Sequence, residues 1–414
     1  MKILSSVLMM LLVLSCAYRG VYILLRLTGK KRVHPEGAKH RYAVLIAARN
    51  EEGVIGPLLD SIRKQDYPAE LVDIYVVADN CTDRTAQTAR AHGARAFERR
   101  DPCRVGKGCA LQFLMERIQA ERPVDSYDGY FIFDADNLLH PHYITAMDDV
   151  FSEGWPAVLG YRAAKNFSDT WMTGAYGIYF MCESECANRP RDLLGTSCLL
   201  SGTGCLLSGK WLAKHGGWAW TGYTEDLECT VDLLIEGERV AYCPDAILYD
   251  EQPRTFSESI VQRTRWVRGY MAAVGTHAKA LFSRMFEKRG FAVFDFMMNL
   301  TPGILLGACV LVRFAQLAAA IITHTGVAGQ IVRTFAGAAW VFIVFYIPGF
   351  VTLLLEWKRI RASAAKKLMY SFGFPVFMCS YLIVIAAAIF TEPDWKPICH
   401  ECSMDIEDML KEQG

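Results

Sequence analysis

Asp134, Ala135, Asp136 and Asn137 put two carboxylates one residue apart, at the end of the apolar run 129–134. Two hard oxygen donors that must ionise side by side favour a divalent cation such as Mg2+ or Mn2+; the local alternative is a solvated turn. Thr224, Glu225 and Asp226 follow Trp218, Trp220 and Tyr223. A carboxylate beside aromatic surface suits a general base for a sugar hydroxyl, and a helix capped by Thr224 with acids in its first turn is equally compatible. Further on, residues 262–266 read Gln, Arg, Thr, Arg, Trp. On a helix, Gln262, Arg265 and Trp266 share one face, presenting an amide, a guanidinium and an indole. The guanidinium can fork onto a diphosphate, while amide and indole can hold a sugar.

Single carboxylates and cations complete the set. Asp79 ends the run 73–79, where it can accept from a base N–H or a ribose hydroxyl, or cap the next helix. Arg104 and Lys107 flank a glycine turn with positive charge suited to a diphosphate. Ser201, Gly202, Thr203 and Gly204 form a small-residue loop that lets a ligand approach the backbone.

Alternating strands and helices must position these groups. Residues 42–48 have the length and apolarity of a buried strand. A helical pattern follows, with Ile55, Leu58, Leu59 and Ile62 on one face. Residues 73–79 form a second strand, Thr82 is placed to cap a helix through Ala91, and a helix over 107–119 precedes the strand 129–134. Such alternation implies an α/β fold with a mostly parallel sheet. In such sheets ligands bind at the carboxyl ends of strands, where Asp79, Asp83, Asp134 and Asp136 all fall.

The 414 residues suffice for one large domain plus extra elements, and Lys+Arg equals Asp+Glu at 44 each, which argues against a nucleic-acid partner. The hydrophobic share of 52% gathers at the two ends. Residues 3–27 are long enough for an uncleaved anchor, and segments 294–322, 331–356 and 368–391 are similarly apolar. Lys30, Lys31, Arg32, Lys39 and Arg41 after the first segment assign the central domain to the cytoplasm. Three full crossings after that domain would leave the tail outside. Phe374 and Pro375 in the last segment allow a re-entrant or interfacial course instead. The fourteen cysteines read as small buried hydrophobes, and Cys399 and Cys402 have metal-like spacing without a second pair. The expected division is an anchor at 1–28, a catalytic domain at 40–255, interfacial helices at 256–293, a membrane region at 294–392 and a tail at 393–414.

The ordered motifs over about 45–270 resemble the membrane-bound polysaccharide-synthase type of family 2 glycosyltransferases, relatives of cellulose, chitin, hyaluronan and poly-N-acetylglucosamine synthases. The matching residues are 47–52, 77–83, 106–108, 133–136, 202–204, 224–226 and 262–266. Residues 395–400 are similar to a tail segment of related bacterial members. The resemblance implies a GT-A nucleotide-sugar-binding fold with interfacial and transmembrane helices, and inverting transfer from a UDP-sugar. By position it implies donor contacts at Ala47, Asn50, Glu51, Asp79, Lys107, Asp134, Ala135, Gln262 and Arg265. It further implies a cation at Asp136 with Asp134, catalysis by Asp226 with Glu225, and an acceptor at Trp266 and Gly202 to Gly204. The expected acceptor is a growing β-linked glycan, or else a lipid-linked one. Membrane lipids and a homo-oligomer or export partner are the other expected associations. Two features depart from the family: residues 78–79 carry one carboxylate, not two, and no gating-loop pattern of cellulose synthases is present.

Overall fold

The computed structural model describes residues 2–30, 32–392 and 400–411. Helix α1 (Lys2–Thr28) precedes an alternating series: β1 (Tyr42–Ala48), α2 (Ile55–Arg63), β2 (Val72–Asp79), α3 (Thr85–Ala91), β3 (Arg95–Arg99), α4 (Lys107–Gln119) and β4 (Gly129–Asp134). A short β5 (Leu138–Leu139), α5 (Tyr143–Phe151), β6 (Ala157–Ala164), α6 (Trp171–Glu183) and α7 (Arg189–Leu193) follow. Then come β7 (Cys205–Ser208), α8 (Gly209–Lys214), α9 (Glu225–Glu236) and β8 (Val240–Asp250).

The eight strands form one sheet in the order β3-β2-β1-β4-β7-β6-β8-β5. Strands β3, β2, β1 and β4 run parallel, as does β6 with β8. Antiparallel β7 separates β4 from β6, and β5 adds antiparallel to β8. The sheet is therefore mixed, with its parallel half where the strand–helix alternation predicted it. Ile55, Leu58, Leu59 and Ile62 of α2 are buried on one face of the sheet with residues of α5. Residues of α4, α8 and α9 cover the other. Register fixes the site: Ala47 of β1 lies beside both Val77 and Asp134, so the ends of β2 and β4 flank the same edge.

Two local expectations are corrected. Thr82 does not cap α3, whose N-cap residue is Arg84; in the turn before the helix Asp83 Oδ1 accepts from the Thr85 N–H at 3.0 Å and from the Thr85 hydroxyl. Thr224 is the N-cap residue of α9, but its hydroxyl makes no cap hydrogen bond. It is buried against Gly269, where an added Cβ would clash with it. Gly237 ends α9 at φ 78°, a conformation that glycine adopts without steric cost.

Helix α10 (Phe256–Met285) starts with a reciprocal capping box between Thr255 and Glu258. After it come α11 (Phe291–Met297), α12 (Thr301–Ile322), α13 (Val327–Leu355), α14 (Ala364–Cys379), α15 (Tyr381–Phe390) and α16 (Ile406–Lys411). Among the described residues, four segments are long and apolar enough to cross a membrane: Ile3–Thr28, Phe291–Ile322, Val327–Leu355 and Ala364–Phe390. The last is more buried than the others and is broken between α14 and α15 at Ser380, not at Pro375. Gly174 of α6 meets Tyr370 of α14 so closely that a Cβ would not fit, and Gly349 of α13 meets Phe374 likewise. The last segment thus packs against the enzyme-like domain as well as against its apolar neighbours.

Candidate active site

Asp134 closes β4. Its backbone N–H donates to Asn137 Oδ1 and to Thr203 Oγ1, both at 3.0 Å. The Thr203 hydroxyl in turn donates to Asn137 Oδ1 at 2.5 Å. Thr203 is therefore a buried pin beneath the strand end, and Gly204 is packed against Leu248 and Tyr143. Of the three loop residues expected at an acceptor, only Gly202 faces the recess: a Cβ there would lie 3.6 Å from Asp226 Oδ2. Its φ of 79° also favours glycine.

Lys107, the first residue of α4, pairs with Asp134, donates to the Gly202 carbonyl at 2.7 Å and lies 3.8 Å from Glu225. Burial works against its charge, but Asp134 and Glu225 outweigh that and hold it above the usual lysine value. Glu225 is buried beside this ammonium, while Asp226 is half-buried and opens to Gly202. Burial, reinforced by the Glu225 charge, raises the Asp226 carboxyl from 3.8 to about 7. Two adjacent acids thus have different environments, as acid and base pairs in catalytic sites do.

Asp134, Asp136 and Asp250 each offer a carboxylate oxygen within 4.8 Å of the others. An all-oxygen set fits a hard divalent cation. Asp250 is already committed: Arg162 Nε donates to it at 2.8 Å, Gln252 Nε2 at 2.8 Å and Asn137 Nδ2 at 2.9 Å. Asp134 and Asp136 are the residues that fit a cation, and Asp250 braces them from behind. His400 reaches the same place from the tail. Its Nδ1 donates to Glu51 Oε1 at 2.9 Å, and its Nε2 lies 4.0 Å from Asp136 Oδ2. Burial opposes the charged ring, yet Asp136 and Glu51 raise it to about 10. Glu51 Oε2 is buried without a hydrogen-bond partner among the described residues, and burial raises that carboxyl. Glu251 fastens the tail by accepting the N–H groups of Glu401 and Cys402 at 3.2 and 3.0 Å.

Asp250, Glu251, Arg162 and His400 were not singled out as site residues from sequence. The run 249–252 ends a strand with two acids, the same signal that marked Asp134 and Asp136. The Cys399 half of the cysteine pair lies outside the described residues, and Cys402 is half-buried.

The remaining candidates divide. Asp79 is buried at the end of β2, its Oδ1 accepting from Arg99 at 2.5 Å and from Asn80 at 3.1 Å. Asn50, at φ 58°, accepts the Thr82 N–H at 2.8 Å and shapes the turn beside it. Ala47 and Ala135 contribute backbone at the strand ends; Ala135 is buried. On α10, Arg265 donates to the Tyr223 carbonyl at 3.0 Å, which brings it over the 224–226 turn. Gln262 accepts from Tyr176 at 2.9 Å, and the Trp266 ring stands edge-on to Tyr176 at 6.2 Å. Trp218 and Trp220 do not offer an acceptor surface. Both are buried, and Trp220 stacks on Trp211 at 5.1 Å. Tyr223 is the exposed aromatic of that turn.

Residues 40–269, which include the mixed sheet, the paired acids at its carboxyl edge and the start of the overlying helix α10, match the family model described as "Glycosyltransferase like family 2". The chain belongs to that family. Among curated relatives, this glycosyltransferase is 26% identical over 242 residues to an N-acetylglucosaminyltransferase of Rhizobium meliloti, covering 54% of each chain. It is also 26% identical over 238 residues to a beta-monoglucosyldiacylglycerol synthase of Synechocystis sp., covering 55% of this chain and 47% of that one. The chain spans about half to two thirds of the length of the curated relatives it matches. The solved mannosyltransferase PcManGT from Pyrobaculum calidifontis, in complex with GDP-Man and Mn2+, superposes with a TM-score of 0.61 at 17% identity. The match covers 94% of this chain and 99% of that one, a likeness of fold.

Proposed function

We propose that the chain is an inverting, UDP-sugar-dependent membrane glycosyltransferase that extends a β-linked glycan by a hexose of the glucose or N-acetylglucosamine type. The observation that carries this reading is the Asp226 carboxylate, raised to about 7, facing Gly202 and within the field of Lys107 and Arg265. Asp226 removes the proton from the acceptor hydroxyl as that oxygen attacks the anomeric carbon. The bond from that carbon to the diphosphate breaks on the opposite face, so an α-linked donor gives a β-linked product. Arg265 and Lys107 supply charge to the departing UDP. A divalent cation held by Asp134 and Asp136 would neutralise the same diphosphate. Asp79 binds the base, with Ala47, Asn50 and Glu51 beside the nucleotide, and Trp266 meets the acceptor sugar.

The topology proposed is multi-pass, with the catalytic domain cytoplasmic. His400 beside Glu51 argues that the broken segment 364–390 does not carry the tail across the bilayer. On this reading the parity conflict that three full crossings would create does not arise. A second reading has specific support: the membrane portion is small for a polymer channel, which favours a single transfer to a lipid-linked acceptor. A homo-oligomer or export partner would be needed for the polymer reading.

Purified protein supplied with a panel of UDP-sugars and Mg2+ or Mn2+ tests both. UDP release with a glucose-type donor and a long product is the expected result. A single-sugar lipid product selects the second reading, and no release with any UDP-sugar rejects both.

A further inference from the structure

At the end of the helices remote from the catalytic domain, α1, α12, α13 and the turn between the last two line an open polar recess of about 480 Å³. Its chemistry is set by Arg313 and Arg333, with Gln316, Gln330, Ser5 and Ser6 around them. The orientation follows from α1: Arg26, near its other end, pairs with Glu185 and Glu356 beside the catalytic domain. Ser5 and Ser6 are therefore about 30 Å away along the helix.

Helices α1, α12 and α13 contain no aspartate or glutamate. The nearest acids in sequence, Asp295 and Glu356, are at the catalytic end and already paired with Arg191 and Arg26. Arg313 has only an amide, donating to Gln316 Oε1 at 3.3 Å. Arg313 sits about 13 Å inside the end of α12. An arginine inside a membrane helix is costly unless its charge is met by a partner. Among the described residues neither guanidinium is paired with a carboxylate, and beside hydroxyls and amides the two form a cationic donor set that suits an anion. They also oppose the usual bias of positive charge toward the cytoplasm, so topology does not explain them.

We infer that this recess is a binding site for the phosphate of an anionic phospholipid in the leaflet opposite the catalytic domain. A lipid, not a soluble anion, fits because the helices that carry the two arginines expose apolar side chains at the same depth, Leu311 and Phe314 near Arg313 and Val332 and Phe335 near Arg333, which acyl chains would cover. A second copy of the same face would bring arginine against arginine. The guanidinium fork matches phosphate geometry, with Gln330 adding a donor.

The test is lipid retention measured by native mass spectrometry. Full-length protein is equilibrated with vesicles of phosphatidylcholine alone or mixed with phosphatidylglycerol, then extracted. Wild type should retain phosphatidylglycerol over phosphatidylcholine, and the R313Q/R333Q double variant should retain about tenfold less. R313K/R333K should keep most of it. Glycerol phosphate in solution should not displace the lipid, and displacement would overturn the lipid assignment. Should R313Q/R333Q fail to fold, wild type labelled by a phosphatidylglycerol carrying a headgroup diazirine keeps the question open to test. Adducts within 313–333 support the site; labelling confined to other helices, or equal retention of both lipids by wild type, overturns it. UDP release measured on the same samples separates this inference from the catalytic reading, because lipid retention does not depend on turnover.

Discussion

Arg263 donates to the Phe377 carbonyl at 3.0 Å and to Ser380 Oγ at 2.8 Å, although no part of it is exposed. The break at Ser380 frees that carbonyl from the helical ladder, and it accepts instead from the guanidinium and from the Ser380 hydroxyl at 2.6 Å. Phe377 and Tyr381 also place their rings against the cation at 4.1 and 4.8 Å. One side chain thus fastens the broken segment to α10, the helix that carries Arg265 and Trp266. Arg263→Ala removes these bonds and opens a cavity, so it should cost about 3 kcal/mol. A lower melting temperature in detergent, with faster proteolysis at residues 380–392, is the expected outcome. Unchanged melting would show that packing alone holds the segment.

Asp226→Asn keeps the shape of the site and removes its base. Transfer should fall at least about a hundredfold, with UDP binding by calorimetry nearly unchanged. Substantial residual turnover would reject the assignment of Asp226.

The environment of Asp226 also fixes a pH dependence. A base must be deprotonated, so kcat/KM should rise with pH through about 7 and then level. Glu225 contributes to the raised value, and Glu225→Gln should move the acid limb to lower pH. The linkage to stability has the opposite sign. The folded state holds this proton more tightly than the unfolded one, so the Asp226 contribution to stability declines as pH rises from 3.8 to about 7.

The parallel half of the sheet was legible because β1, β2 and β4 are short apolar runs ending in turn residues, with Asp79 and Asp134 at their ends. Antiparallel β7 was not, since residues 205–208 carry no period of their own and owe their place to β4 and β6. Spacing brought Gln262, Arg265 and Trp266 to one helix, but it did not reveal Arg263 between them as the buried anchor. A charged residue is buried only through partners distant in sequence, here Phe377 and Ser380. The same reason hid His400, which meets Glu51 across the whole chain. Trp218 and Trp220 misled in the other direction: aromatic type suggests a sugar platform, while Trp211 and Asp232 had already claimed Trp220 for the core.

Asp136 and Asp250 belong to one carboxylate cluster but should respond differently to substitution. Asp136 accepts the Glu251 N–H at 3.0 Å through Oδ2 and, among the described residues, has no side-chain cation paired to it except the approaching His400. Asp136→Asn should therefore raise the Mn2+ concentration needed for half-maximal UDP release, and EDTA should abolish the residual rate in both proteins. Asp250 faces Arg162, and Asp250→Asn leaves that buried guanidinium short of its charge partner. Its main effect should be a loss of about 3 kcal/mol in stability, with little change in the Mn2+ requirement of the protein that folds. A large shift in that requirement for Asp250→Asn, with stability unchanged, would make Asp250 a cation ligand and not a brace.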